Sequence, residues 1–105
     1  MDKYNNKPWG FELTWVNTDN YSSRILIVRE GEKLPYIFHK RQDITLLILQ
    51  GIVQLVIEGR NKVLNEGDFY HIIPKVMHRI IALKGDATIL EVGTPQEDDV
   101  VLVEK

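Results

Sequence analysis

The sequence predicts an all-β chain, and three observations carry that prediction. Runs rich in valine, isoleucine and aromatic residues are separated by turn signals roughly every eight to twelve residues. No window carries an apolar stripe of helical period. Pro8, Pro35, Pro74 and Pro95 fall near the ends of the runs, where a missing N–H costs a sheet little. This spacing is that of a β-sandwich or barrel. A length of 105 residues suits one domain over 1–105.

The predicted strands, in order, are Phe11–Val16, Arg24–Val28, Thr45–Gln50, Ile52–Glu58, Phe69–Ile73, His78–Leu83, Ala87–Val92 and Val100–Val103. Asn17-Thr18-Asp19-Asn20 separates the first two, since Asn and Asp side chains bond their own backbone in turns. Gly31-Glu32 follows the second strand, and Glu58-Gly59-Arg60-Asn61 and Asn65-Glu66-Gly67-Asp68 flank a short link before the fifth. Gly85-Asp86 reads as a two-residue hairpin loop, which pairs Lys84 with Ala87 and Ile80 with Glu91. The run Leu46–Ile57 (LLILQGIVQLVI) does not alternate cleanly, so both of its faces are expected to be covered. One face would line the interior. The other would meet a second sheet or a second subunit, so a homodimer is expected.

Composition narrows the function classes. Hydrophobic residues make up 44%, which suits a packed core and argues against disorder. A net charge of −2 offers no basic surface, so no nucleic-acid partner is expected. Glu97, Asp98 and Asp99 form the one acidic cluster and read as a solvated turn. There is no cysteine, hence no disulfide and no thiol chemistry. The polar start MDKYNNKPWG shows no signal peptide, and the longest apolar run is too short and broken to span a membrane. A cytoplasmic location without membrane contact is the expectation.

All three histidines lie in two glycine-opened segments. Gly31–Gly51 holds His39, and Gly67–Ala82 holds His71 and His78 around Pro74. A small barrel that binds a ligand or metal gathers its side chains from distant strands, and two such segments are the linear trace of that arrangement. Strand alternation puts Ile37 and His39 on one face, and His78, Ile80 and Ala82 on one face. Ile37, Ile44, Leu46, Ile48 and Ile80 then point inward and make a mostly apolar cavity. The hairpin reading brings Glu91 to the side of His78.

The spacing Gly31-x5-Ile37-x-His39-x4-Ile44-x6-Gly51 resembles the first cupin motif, and Gly67-x5-Ile73-Pro74-Lys75-x2-His78 resembles the second. Lys7-Pro8-Trp9-Gly10, Tyr21, Leu90-Glu91-Val92 and Glu97-Asp98-Asp99-Val100-Val101 extend the likeness over nearly the whole chain. In that order they resemble the C-terminal isomerase domain of type II phosphomannose isomerases and related small sugar cupins. The resemblance implies a double-stranded β-helix, or jelly-roll, barrel. It implies a divalent metal (zinc, manganese, iron or nickel) held in part by His39 and His78. This chain departs from the family at Ile37, where glutamine or histidine is usual, at Ile44, where glutamate is usual, and at Lys75, where glycine is usual. Isoleucine coordinates nothing, and two imidazoles alone hold an ion weakly.

Each candidate has a plainer reading. His39 and His78 could be core histidines bonded to carbonyls. His71 reads first as a half-exposed strand histidine, Glu91 as the partner of a core arginine such as Arg24 or Arg29, and Lys75 as an exposed loop lysine. Trp9 and Trp15 read as packing anchors. The resemblance implies an isomerase exchanging mannose 6-phosphate and fructose 6-phosphate. There His39 and His78 would hold the metal, Glu91 or His71 would act as base, and Lys75 would meet the phosphate. The alternative is a non-catalytic module that binds or senses a small ligand such as a sugar. Sequence alone does not decide whether the chain is an enzyme.

Overall fold

A computed structural model describes residues 4–105 and forms them into nine strands. They are β1 (Tyr4–Lys7), β2 (Gly10–Asn17), β3 (Ser22–Val28), β4 (Tyr36–His39), β5 (Ile44–Ile57), β6 (Arg60–Leu64), β7 (Phe69–Ile72), β8 (His78–Gly93) and β9 (Val100–Glu104). Every pairing between them is antiparallel. Three of these strands, β1, β4 and β6, lie outside the runs predicted from composition. They are short, and β1 and β6 are largely exposed, so no apolar alternation marks them.

The two long strands β5 and β8 organise the rest. They pair with each other along their whole lengths, with register shifts between Ile48 and Val53. Their first contact, Ile44–Ile48 against Ile89–Gly93, is flanked by β7 on one side and by β3, β2 and β1 on the other. Their second, Val53–Ile57 against His78–Ala82, is flanked by β6 and by β4 with β9. The bend between the halves therefore passes both strands from one layer to the other. Gly51 makes the bend with φ of +87°, and a Cβ there would stand 2.7 Å from the Asp86 carbonyl oxygen. Both facts demand glycine.

The hairpin expected at Gly85-Asp86 does not form. Lys84 pairs with Ile52, and Ala87 pairs with Val28, so β8 bulges and continues instead of reversing. Ile80 lies opposite Leu55, while Glu91 lies between Leu46 and Arg24. Glu30 clamps the bulge, accepting from the Gly85 N–H through its carboxylate and donating its own N–H to Asp86. The bulge shifts the alternation by one residue. His78, Ile80 and Ala82 are buried before it, and Ala87, Ile89 and Glu91 are buried after it.

Between the layers lies one core, in which Leu26, Val28, Ile44, Leu46, Ile48 and Ile89 of the first layer meet Val53, Leu55, Leu64 and Ile80 of the second. Trp9 joins this core, but Trp15 stands on the surface. β5 alternates more cleanly than its sequence suggests. Ile44, Leu46 and Ile48 are buried, Thr45 and Leu47 are half-buried, and Leu49 is exposed. The outer face of the first layer carries the row Phe69, Leu47, Leu90, Ile25 and Leu13, and no second sheet of the described residues covers it. Phe69 is 71% exposed there.

Candidate functional site

The fold brings His39 and His78 together. His39 ends β4 and His78 opens β8, and Ile37 of β4 pairs directly with His78. Their rings stack with centroids 5.9 Å apart and planes at 25°. Both are buried. His78 Nδ1 donates to the Val76 carbonyl at 3.0 Å, and His39 Nδ1 faces the Asp99 carboxylate at 3.4 Å. In the neutral tautomer whose Nδ1 donates, a ring's other nitrogen is an acceptor. Two acceptors cannot satisfy each other. His39 Nε2 is the buried side-chain nitrogen that finds no hydrogen-bond partner among the described residues.

Asp99 corrects the sequence reading. Its side chain is wholly buried, not solvated. β9 returns beside β4, with Val100 opposite His39, and this pairing carries Asp99 inward. Its second oxygen accepts the backbone N–H groups of Arg41 and Gln42 at 2.8 and 2.9 Å. Burial alone would raise the Asp99 pKa, but the Arg41 and Gln42 N–H groups outweigh it and hold the carboxyl below its ordinary value. For His78 burial is the largest influence and lowers the pKa, with the Val76 carbonyl opposing in part.

Beside the histidines lies a second polar cluster. Arg24 binds Glu91 through Nε at 2.6 Å and Nη2 at 3.3 Å, and it binds Glu12 through Nη1. Lys7 also meets Glu12, at 3.3 Å. Glu12 and Glu91 are buried. Burial works against the charge of Arg24, but Glu91 and then Glu12 outweigh it and hold the guanidinium above its ordinary pKa. Arg24 borders two spaces. One, about 20 Å³, is lined by Arg24, Ile37, Leu46, His78, Ile80 and Glu91 among others. That volume holds about one water molecule. The other, about 130 Å³ and open to solvent, is lined by Arg24, His39, Gln42, Gln96, Glu97 and Val100.

The remaining candidates do not converge on this place. His71 lies opposite Thr45 on the outer face, where its Nε2 meets Asp43 at 2.7 Å in an exposed pair. Lys75 is exposed on the loop before His78, and its own N–H donates to the His39 carbonyl at 2.7 Å. Sequence reasoning missed Asp99, Glu12 and Gln42. A signal existed for Glu12 and Arg24, which sit at inward positions of otherwise apolar strands.

The donors present do not make a resident metal site. The two imidazoles are oriented as ligands would be, and His39 Nε2 is free. Ile37 and Ile44 offer nothing, and Glu91 is held by Arg24. Among the described residues no three His, Cys, Asp or Glu side chains stand where they could hold an ion. Zinc, manganese, iron or nickel would lack a third protein ligand.

Comparison with known proteins agrees with this architecture. Residues 24–93 match the family model described as the cupin domain. A mannose-1-phosphate guanylyltransferase of Sinorhizobium fredii is 30% identical over 74 residues, which cover 70% of this chain but only 14% of that relative. Among solved structures, KdgF from Halomonas sp. superposes with a TM-score of 0.83 at 21% identity, covering 90% of this chain and 87% of that one. Oxalate decarboxylase from Bacillus subtilis gives 0.85 at 19%, with 97% of this chain and 30% of that one. The capsular polysaccharide assembling protein CapF from Staphylococcus aureus gives 0.88 at 14%, with 100% and 35%. These likenesses fix the fold as a double-stranded β-helix. Among the described residues no helix is long and apolar enough to cross a membrane.

Proposed function

This chain belongs to the cupin domain family, and from that premise we propose that it is a binding module for a small hydroxyl-bearing ligand, a sugar or sugar phosphate, with no metal involved. The supporting observation is the lone Nε2 of His39. A buried side-chain nitrogen without a partner costs stability, and a ligand hydroxyl that reached it from the adjoining pocket would supply one. The pocket of about 130 Å³ beside His39 is smaller than a site enclosing a whole small molecule, so it would take one edge of a sugar. Gln42, Gln96 and Glu97 line the same pocket and offer further polar partners. Lys75, at the surface, could meet a phosphate on the exposed part of the ligand. The sugar class is suggested by the guanylyltransferase relative, of which this chain resembles a small part.

A second reading, isomerisation of mannose 6-phosphate and fructose 6-phosphate, is favoured by one observation. Asp99 faces His39 Nδ1, so Nε2 could accept a proton as an oriented base. Glu91 is a poorer base here, because Arg24 holds both of its oxygens. His71 stands on the outer face, away from the pocket. We further take the whole chain as one cupin domain, and the open apolar face of the first layer as the site where a second copy docks.

Saturation-transfer NMR with mannose, mannose 6-phosphate and fructose 6-phosphate tests the binding reading. Binding of at least one of them, lost in His39→Ala, is expected, without interconversion of the phosphates. Turnover by the parent chain that disappears in His39→Ala would replace the module by the isomerase. No binding of any of the three would end the sugar reading.

A further inference from the structure

We propose that the guanidinium of Arg24 takes the place of a divalent cation in this barrel, and so closes the barrel to metal. Arg24 reaches the space bordered by Ile37, His78 and Glu91, and it also borders the pocket that His39 helps to line. It therefore shares one cavity wall with His78 and another with His39, the two imidazoles that would serve as ligands. The register puts Leu46, Glu91 and Arg24 in one inward row across three strands, and Ile44 precedes Leu46 on the same face. The cation is thus built into the wall where a metal's neighbours would be.

The charges close on themselves. Arg24 and Lys7 are matched by Glu12 and Glu91, two against two. Glu91 gives both oxygens to the guanidinium in a two-point contact, so it cannot turn to a metal without breaking that pair. An ion held by His39 and His78 would also meet the guanidinium, whose repulsion its carboxylate partners reduce but do not remove. Arg24 can replace the metal's pull as well as its charge. Three of its N–H groups hold Glu12 and Glu91. A guanidinium has five, so two are left to face a water or hydroxyl oxygen, as a Lewis acid would.

The inference does not rest on sugar binding, and its test uses only cobalt(II). Ile37→His and Ile44→Glu together restore donors at the two apolar positions. Cobalt(II) is titrated into that double variant, followed by its absorbance, with Arg24 retained and with Arg24→Met. Removing Arg24 is expected to tighten cobalt binding tenfold or more. Any smaller gain overturns the proposal, as does tightly bound stoichiometric metal in the unmutated chain purified without chelator. Should Arg24→Met fail to fold, adding Glu12→Gln removes one stranded carboxylate and permits the same comparison. Should the two isoleucine substitutions fail together, Ile37→His alone supplies a third imidazole in both Arg24 backgrounds.

Discussion

Two buried polar clusters lie side by side in this barrel, and they differ in completeness. The Arg24 cluster is finished. Its charges are paired, and each carboxylate meets a cation. The histidine cluster is unfinished. Asp99 and Val76 occupy one nitrogen of each ring, and the other nitrogen of His39 meets nothing. The Arg24 cluster hangs on β1, β2, β3 and β8, the histidine cluster on β4, β8 and the residue before β9, and Glu12, Glu91, His39, His78 and Asp99 are all buried, so burial does not distinguish them. Satisfaction does. A complete network holds the fold, whereas an oriented and unmatched acceptor marks the place left for a ligand.

The largest expected effect tests the finished cluster. Arg24→Met leaves Glu91 buried without its cation and Glu12 with Lys7 alone, which should cost about 3–5 kcal/mol of unfolding free energy. Denaturant unfolding monitored through the tryptophans measures it. A loss below roughly 1 kcal/mol would mean that water already serves these carboxylates, and the contrast between the clusters would collapse.

Acid should act on the unfinished cluster. Burial holds His78 below its ordinary value of 6.5. The unfolded chain then takes up a proton on this ring before the folded chain does, so stability falls as pH drops below that value. Asp99 works in the same direction. Its folded carboxyl titrates below its ordinary 3.8, so its contribution is present above that value and is lost as pH falls further. Unfolding midpoints measured from pH 7.5 down to 4.5 should decline, and His78→Phe should flatten the decline. A flat profile in the parent chain would show that His78 is not buried as described.

The legible part of the site was the part written in local pattern. His39 and His78 follow from motif spacing, and their inward direction follows from strand alternation. Glu91 reached the correct side through a wrong premise. A two-residue hairpin would pair an even-numbered residue with an odd-numbered one. The bulge between Ala82 and Ala87 changes the parity along one strand in the same sense. Both geometries put Glu91 on the side of His78, so the sequence could not separate them. Asp99 was illegible for another reason. Next to Glu97 and Asp98 it reads as part of a charged turn, and only the return of β9 beside β4 buries it. That pairing joins residues about sixty positions apart, a distance over which periodicity carries no information. The sequence predicts an outer face of β5 covered by a second sheet or a second subunit; no second sheet of the described residues covers it, and Leu47 and Leu49 stay partly open in the single chain.

The smallest expected change in stability is at His39, and it is the most telling one. Truncating a satisfied buried group destabilises, because its partner is stranded. His39 differs, since it carries an unmatched acceptor of its own. His39→Phe keeps the aromatic volume and the stacking against His78, and removes Nε2 along with the contact to Asp99. Asp99 retains its two backbone donors, so its carboxylate is not stranded. The gain from deleting an orphan acceptor and the loss of a long contact should nearly cancel, leaving stability within about 1 kcal/mol of the parent. Ligand binding at the pocket should be abolished by the same change. A loss of several kcal/mol in His39→Phe would instead mean that Nε2 is matched in solution by a bound water that belongs to the fold. The two clusters would then be equally complete, and the pocket beside His39 would lose its claim to a ligand.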